Sequence, residues 1–148
     1  MTSVLARYDA LVKAGELRPD PDQRAAAERL CRLQQELEAT PARGSTLWKL
    51  LRKAPEPPRG LYMWGGVGRG KSMLMDLFVE TLGIAEKRRA HFHEFMLEVD
   101  RRMRERRESD PGDPTGKVAR DIAADVRCLA FDEMVVNNTA DAAIMARL

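Results

Sequence analysis

The stretch GGVGRGKSMLMD, residues 65–76, decides how the rest of the chain is read. Its first part matches the pattern G-x-x-x-x-G-K-S/T over residues 65–72. Glycines at 65, 66, 68 and 70 let the backbone turn its N–H groups toward one point, beside the positive end of a following helix. That arrangement holds phosphate oxygens. The expected cradle is Gly65, Gly66, Val67, Gly68, Arg69, Gly70, Lys71, Ser72 and Met73, with Lys71 reaching the β- and γ-phosphates of ATP and the Ser72 hydroxyl holding Mg²⁺. A chance glycine turn before a helix is the alternative, and the flanking sequence argues against it. Leu61-Tyr62-Met63-Trp64 is an apolar run of strand length that feeds the loop, and a helix is expected from Lys71 to about Leu82, ended by Gly83.

A second constellation lies downstream. Val126-Arg127-Cys128-Leu129-Ala130-Phe131 reads as a strand that closes on Asp132-Glu133. Metal-assisted phosphoryl transfer needs a carboxylate to position Mg²⁺ and a group to orient the attacking water. Asp132 is expected in the first role and Glu133 in the second, so that Lys71 and Glu133 are the candidate catalytic residues and Ser72 and Asp132 the candidate metal ligands. Asp-Glu after a strand can also cap a helix, but the pairing with a phosphate loop favours the catalytic reading. A GTPase would show Asp-x-x-Gly here. Met134 and Val135 after Glu133 point instead to an ATPase of the catalytic-glutamate type.

Composition sets the class. At 148 residues, with 44% hydrophobic and 32% charged, the chain reads as a globular protein of one-domain size. Its 25 Lys and Arg against 23 Asp and Glu give no electrostatic case for nucleic acid. The two cysteines, Cys31 and Cys128, sit in unlike segments and form no readable disulfide or zinc pattern, which fits a reducing compartment. No stretch approaches the roughly 18 apolar residues of a membrane span, and the N-terminus lacks the layout of a secretory signal, so a cytoplasmic location is expected.

The N-terminal third is expected to be helical. Val4, Leu5, Tyr8, Leu11 and Val12 recur at helical spacing before Gly15, and Asp20-Pro21-Asp22-Gln23 carries the chemistry of a helix start, with Asp20 as N-cap and Gln23 completing a capping box. The second helix is expected to bury Ala26, Leu30, Leu33 and Leu37, and a short helical piece follows at 46–51. The prolines at 55, 57 and 58 mark a boundary, which divides the chain into a helical segment 1–54 and an α/β unit 55–148. Beyond the loop, Arg89-Ala90-His91-Phe92-His93-Glu94-Phe95 reads as a second strand, with Met96, Val99 and Met103 on the buried face of an arginine-rich helix. A turn at 109–114 and a short helix from Val118 to Ala124 lead to the third strand. His91 and His93, the only two histidines, would share one strand face. With no cysteine nearby to complete a ligand set, they are read as packing residues, His93 being a candidate polar partner of Glu133. The run Arg101 to Arg107 is more simply a solvated helix face than a contact surface, and Trp48 and Tyr62 are expected in the core.

Taken together, Tyr8 to Gly15, Asp20 to Gln23, Arg59 to Asp76, Arg89 to Met96 and Phe131-Asp132-Glu133 resemble the ZapE-like AAA+ ATPases of bacterial cell division and their mitochondrial AFG-type relatives. The His-Phe-His-Glu-Phe-Met string and the Leu-Met-Asp after the loop are more particular than a generic phosphate loop. The resemblance implies an α/β P-loop NTPase of AAA+ type, a parallel sheet flanked by helices with strand order 5-1-4-3-2. It also implies ATP hydrolysis with Mg²⁺ and action at the division septum on the tubulin-like filament protein; a homo-oligomer is a further candidate partner, though the sequence does not give the oligomeric state. Met134 to Asn138 depart from the family's usual Phe-Gln-Val-Thr-Asp, and Ser72 replaces a more usual threonine. On this resemblance the sheet is incomplete at residue 148, the sensor, arginine finger and helical lid lie outside the chain, and ATP turnover by the chain alone is expected to be poor. Another AAA+ type, such as a helicase loader, and a non-catalytic nucleotide-binding module are the alternatives.

Overall fold

The computed structural model describes residues 2–41, 56–66, 68, 70–109 and 112–148. The helical piece expected at 46–51, with Trp48, lies outside the described residues, as do Val67 and Arg69 of the loop. Two compact units, Met1–Ala85 and Glu86–Leu148, each gather their own contacts.

In the first unit, α1 (Val4–Lys13) begins at Ser3, whose hydroxyl accepts the Ala6 N–H. It ends at Gly15, whose φ of +77° gives the left-handed turn that lets Glu16 N–H reach the Leu11 carbonyl. Helix α2 (Pro21–Ala39) starts as expected: Pro21 occupies the first turn and the Asp20 carboxylate accepts the N–H groups of Asp22 and Gln23 at 2.8 and 3.2 Å. Its buried stripe is Ala27, Leu30, Gln34 and Leu37, one position round from the expected Ala26 and Leu33. The shift follows from Gln34, a polar residue that apolar patterning leaves out. Its carboxamide is 3% exposed because every direction finds a partner: Oε1 accepts the Val4 N–H, and Nε2 donates to Glu38 and to the Thr81 carbonyl. Helix α3 (Lys71–Thr81) buries Leu74, Leu77 and Phe78, and the three helices pack on one another.

Leu61 to Trp64 is not a strand. No ladder forms over these described residues, and Tyr62 and Trp64 are 68% and 85% exposed, so Tyr62 is not a core residue. An apolar run becomes a strand only when a neighbouring strand takes its N–H and C=O groups, and no described strand does so here.

The second unit is a β-α-α-β unit. β1 (Lys87–His91) leads into α4 (Phe92–Ser109), then α5 (Thr115–Asp125), β2 (Cys128–Asp132) and α6 (Thr139–Met145). β1 and β2 pair in parallel, with Arg89 opposite Ala130 and His91 opposite Asp132. The second strand therefore ends at His91, and His93-Glu94-Phe95 belong to the helix. The reason is packing: at helical spacing Phe92, Phe95, Met96, Val99 and Met103 all reach one core, whereas a strand through Phe95 would send alternate residues to opposite faces. Val118 and Ile122 of α5 complete that core, and Ala90, Leu129 and Phe131 of the sheet lie on it. Phe131 meets Phe92 edge-on at 5.7 Å and Phe95 at 4.8 Å.

Candidate functional site

The phosphate loop has the backbone that its glycines allow. Gly65, Gly68 and Gly70 have φ of +149°, +79° and +79°, values that side chains with a Cβ rarely adopt. Gly70 is the residue before α3, no side-chain cap closes that helix's N-terminus, and the dipole there favours an anion. Lys71 turns back over the loop, its Nζ donating to the carbonyls of Gly65 and Gly66 at 2.8 and 2.7 Å. The ammonium thus rests on two carbonyls at the start of the loop, neutral acceptors that a more negative phosphate oxygen outcompetes. Ser72, in the first turn of α3, is exposed.

A cavity of about 480 Å³ opens beside the loop, lined by Leu61, Trp64, Gly65 and Lys71 and by Gln23 and Arg29 of α2. The sequence reading assigned Gln23 to helix capping. The structure instead sets its carboxamide against the loop: a Cβ at Gly70 would stand 2.8 Å from Gln23 Nε2, the far end of a flexible side chain.

The second group is built at the end of β2. Asp132 is the last residue of the strand, and its Oδ2 accepts a hydrogen bond from Arg89 Nη2 at 3.1 Å. Glu133 follows immediately and is exposed. Its φ of +50° is the one positive value at a non-glycine among the described residues, and the Val135 N–H closes a tight turn onto its carbonyl at 2.7 Å. Left-handed backbone at an acidic residue just after a strand is the kind of local strain that collects at functional sites. His91, not His93, is the histidine opposite this strand end, while His93 sits exposed in the first turn of α4. Sequence reading missed Arg89. Its signal was the alternation that puts residues 89 and 91 on one face, but the register that brings that face to Asp132 was not available.

The structure thus assembles the candidate residues as two groups, the loop with Lys71 and Ser72 in the first unit and Asp132 with Glu133 in the second. The donor chemistry fits Mg²⁺. The Ser72 hydroxyl and the Asp132 carboxylate are each hard oxygen donors of the kind that bind Mg²⁺ beside phosphates and water. Among the described residues no three or more His, Cys, Asp or Glu side chains gather into a metal cage. No helix among the described residues is long and apolar enough to cross a membrane.

Comparison with known proteins places this geometry in context. The chain is 38% identical to the Escherichia coli protein named cell division protein ZapE over 154 aligned residues, which cover 97% of this chain and 40% of that one. It is 42% identical to lactation elevated protein 1 homolog B of Danio rerio over 103 residues, 64% of this chain and 20% of the relative. The chain therefore spans about two fifths or less of the length of these relatives. No solved structure matches it significantly. The family model described as AFG1-like ATPase matches residues 2–148, the length over which the loop, the histidine string and Asp132-Glu133 all fall, and the chain belongs to this ZapE-like family of AAA+ P-loop ATPases.

Proposed function

We propose that the chain binds ATP on the loop from Gly65 to Met73 and carries the hydrolytic residues of an AAA+ ATPase. The observation that supports this best is Lys71 Nζ, folded onto the Gly65 and Gly66 carbonyls inside a loop of left-handed glycines, where phosphate oxygens would replace those acceptors. Backbone N–H groups of the loop and of the first turn of α3 orient the triphosphate. Lys71 then bridges the β- and γ-phosphates and stabilises the charge that develops on transfer. Ser72 and Asp132 would hold Mg²⁺, which would supply charge neutralisation at the phosphate oxygens. Glu133 orients the attacking water and takes its proton, a role its exposed carboxylate at the strand end suits. The helical segment 1–54 serves as an N-terminal extension of the ATPase domain, and its α2 forms one wall of the cavity beside the loop.

The test is ATP affinity and turnover for wild type, Lys71→Ala and Glu133→Gln. Wild type binds ATP, Lys71→Ala loses most of that affinity, and Glu133→Gln keeps the affinity while turnover falls by about 100-fold or to background. A wild type that binds ATP yet turns over no faster than Glu133→Gln leaves the nucleotide-binding module as the correct reading of this chain. For the cellular role we propose work at the division septum, supported by the name of the Escherichia coli relative, cell division protein ZapE, with the tubulin-like filament protein as the partner that the family resemblance implies. Nucleotide-dependent co-sedimentation with polymerised filaments is the expected result, and sedimentation unaffected by ATP counts against it.

A further inference from the structure

The Asp132 carboxylate already has a cation. Arg89 reaches it from the neighbouring strand at 3.1 Å, and the two side chains are only 26% and 19% exposed, so the pair is partly shielded from water. The register explains the reach. Arg89 stands opposite Ala130 and His91 opposite Asp132, so residues 89, 91, 130 and 132 share one face of the sheet, and the small, 8% exposed Ala130 leaves the guanidinium stem a path along the strands. The opposite face, with Ala90, Leu129 and Phe131, is the one that packs on the core. Arg89 therefore takes no part in that packing, and its place on the other face directs it to Asp132.

We propose that Arg89 is a resident counter-cation that holds Asp132 while no metal is bound and competes with the divalent ion for it. This rests on the reading of Asp132 as the metal carboxylate. A guanidinium stays charged at any working pH, so a divalent ion cannot gain the carboxylate by deprotonating Arg89 and must displace it or share the carboxylate against its charge. The carboxylate is thereby kept oriented at the strand end, and metal alone is bound weakly. Arg89 is a positioning residue in this scheme and touches no reacting atom.

The test is a Mn²⁺ titration of the chain without nucleotide, followed by the electron-paramagnetic-resonance signal of the free ion. Wild type, Arg89→Gln, Arg89→Lys, Asp132→Asn and the double variant Arg89→Gln/Asp132→Asn are compared, with circular dichroism confirming the fold of each. Arg89→Gln is expected to bind Mn²⁺ about tenfold more tightly than wild type, the scale set by removing a unit charge beside a divalent one across a partly screened gap. Arg89→Lys, which keeps the charge without the planar fork, falls between them. It also reports should Arg89→Gln fail to fold, since affinity no greater than wild type in a folded Arg89→Lys overturns the proposal. The gain must vanish in the double variant. If Asp132→Asn lowers Mn²⁺ binding but Arg89→Gln leaves it unchanged or weaker, the proposal is overturned while the metal role of Asp132 stands. If Asp132→Asn binds Mn²⁺ like wild type, the metal reading itself fails and the proposal with it.

Discussion

At Glu133 the backbone carries information that its residue type does not. A left-handed φ of +50° at an acidic residue costs about 1 kcal/mol, which the turn closed by the Val135 N–H helps to offset. The strain is separable from the carboxylate's chemistry. Glu133→Asn, which tolerates this backbone region, is expected to exceed wild type by up to about 1 kcal/mol in chemical denaturation, whereas Glu133→Val should lose about 1–2 kcal/mol although the site is exposed and buries nothing. Equal stability of the two variants would show that the backbone relaxes at no cost. The same reasoning applies to Gly70, where the φ of +79° favours a glycine, while the Gln23 carboxamide beside it is a flexible side-chain end that can swing aside. The sequence pattern anticipated a glycine at 70 for the loop's curvature, but gave no sign that a side chain from α2 fills the space beside it.

Between elements, single polar side chains fix the packing. Gln34 ties the start of α1 to the end of α3 through the Val4 N–H and the Thr81 carbonyl, and Glu38 extends the link by accepting the Gly83 N–H at 2.7 Å. Gln34→Leu keeps the volume but strands these buried groups, so a loss of about 2–3 kcal/mol is expected from urea denaturation; a change below about 0.5 kcal/mol would mean that water satisfies them. In the second unit Glu98 of α4 pairs with Arg88 of β1 and with Arg102 one turn on, at 2.7 Å. The hydrogen bond from Arg88, reinforced by both guanidinium charges, holds the Glu98 carboxyl below the usual carboxylate range despite partial burial. A depressed folded-state pKa adds stability above the unfolded value of 4.5 and loses it as pH falls through the folded one. Wild type should therefore exceed Glu98→Gln in stability near neutrality, and the gap should close progressively below about pH 4.5 in acid-unfolding curves. A gap that stays constant with pH would assign the effect to packing.

On the scale of the whole molecule, each compact unit has a core of its own. In Glu86–Leu148 that core centres on Phe92, Phe95 and Val99, which are 0–2% exposed. Phe95→Ala removes a ring that packs on Phe131 at 4.8 Å and should cost about 3–5 kcal/mol, enough to unfold a unit of this size. Proton NMR is the check: upfield methyl signals of Val99, Val118 and Ile122 should collapse, and their persistence would mean that the cavity refills. The sequence by itself determined the phosphate loop, the left-handed end of α1 at Gly15, the Asp20 cap of α2, the strand ending in Asp132 and the family, because these depend on local backbone chemistry and on residue types at fixed spacing. The strand boundary at His91 and the buried stripe through Gln34 depended on what other elements offer. Helix α4 wins Phe92 to Phe95 because one core receives all its aromatic residues, and Gln34 is buried because three segments supply its hydrogen bonds. Leu61 to Trp64 has the composition of a strand without a described ladder partner. Arg89 reached Asp132 only through the parallel register of β1 and β2, and register is a property of two strands together. Local propensity can be read one residue at a time, but pairing and burial are satisfied only between segments.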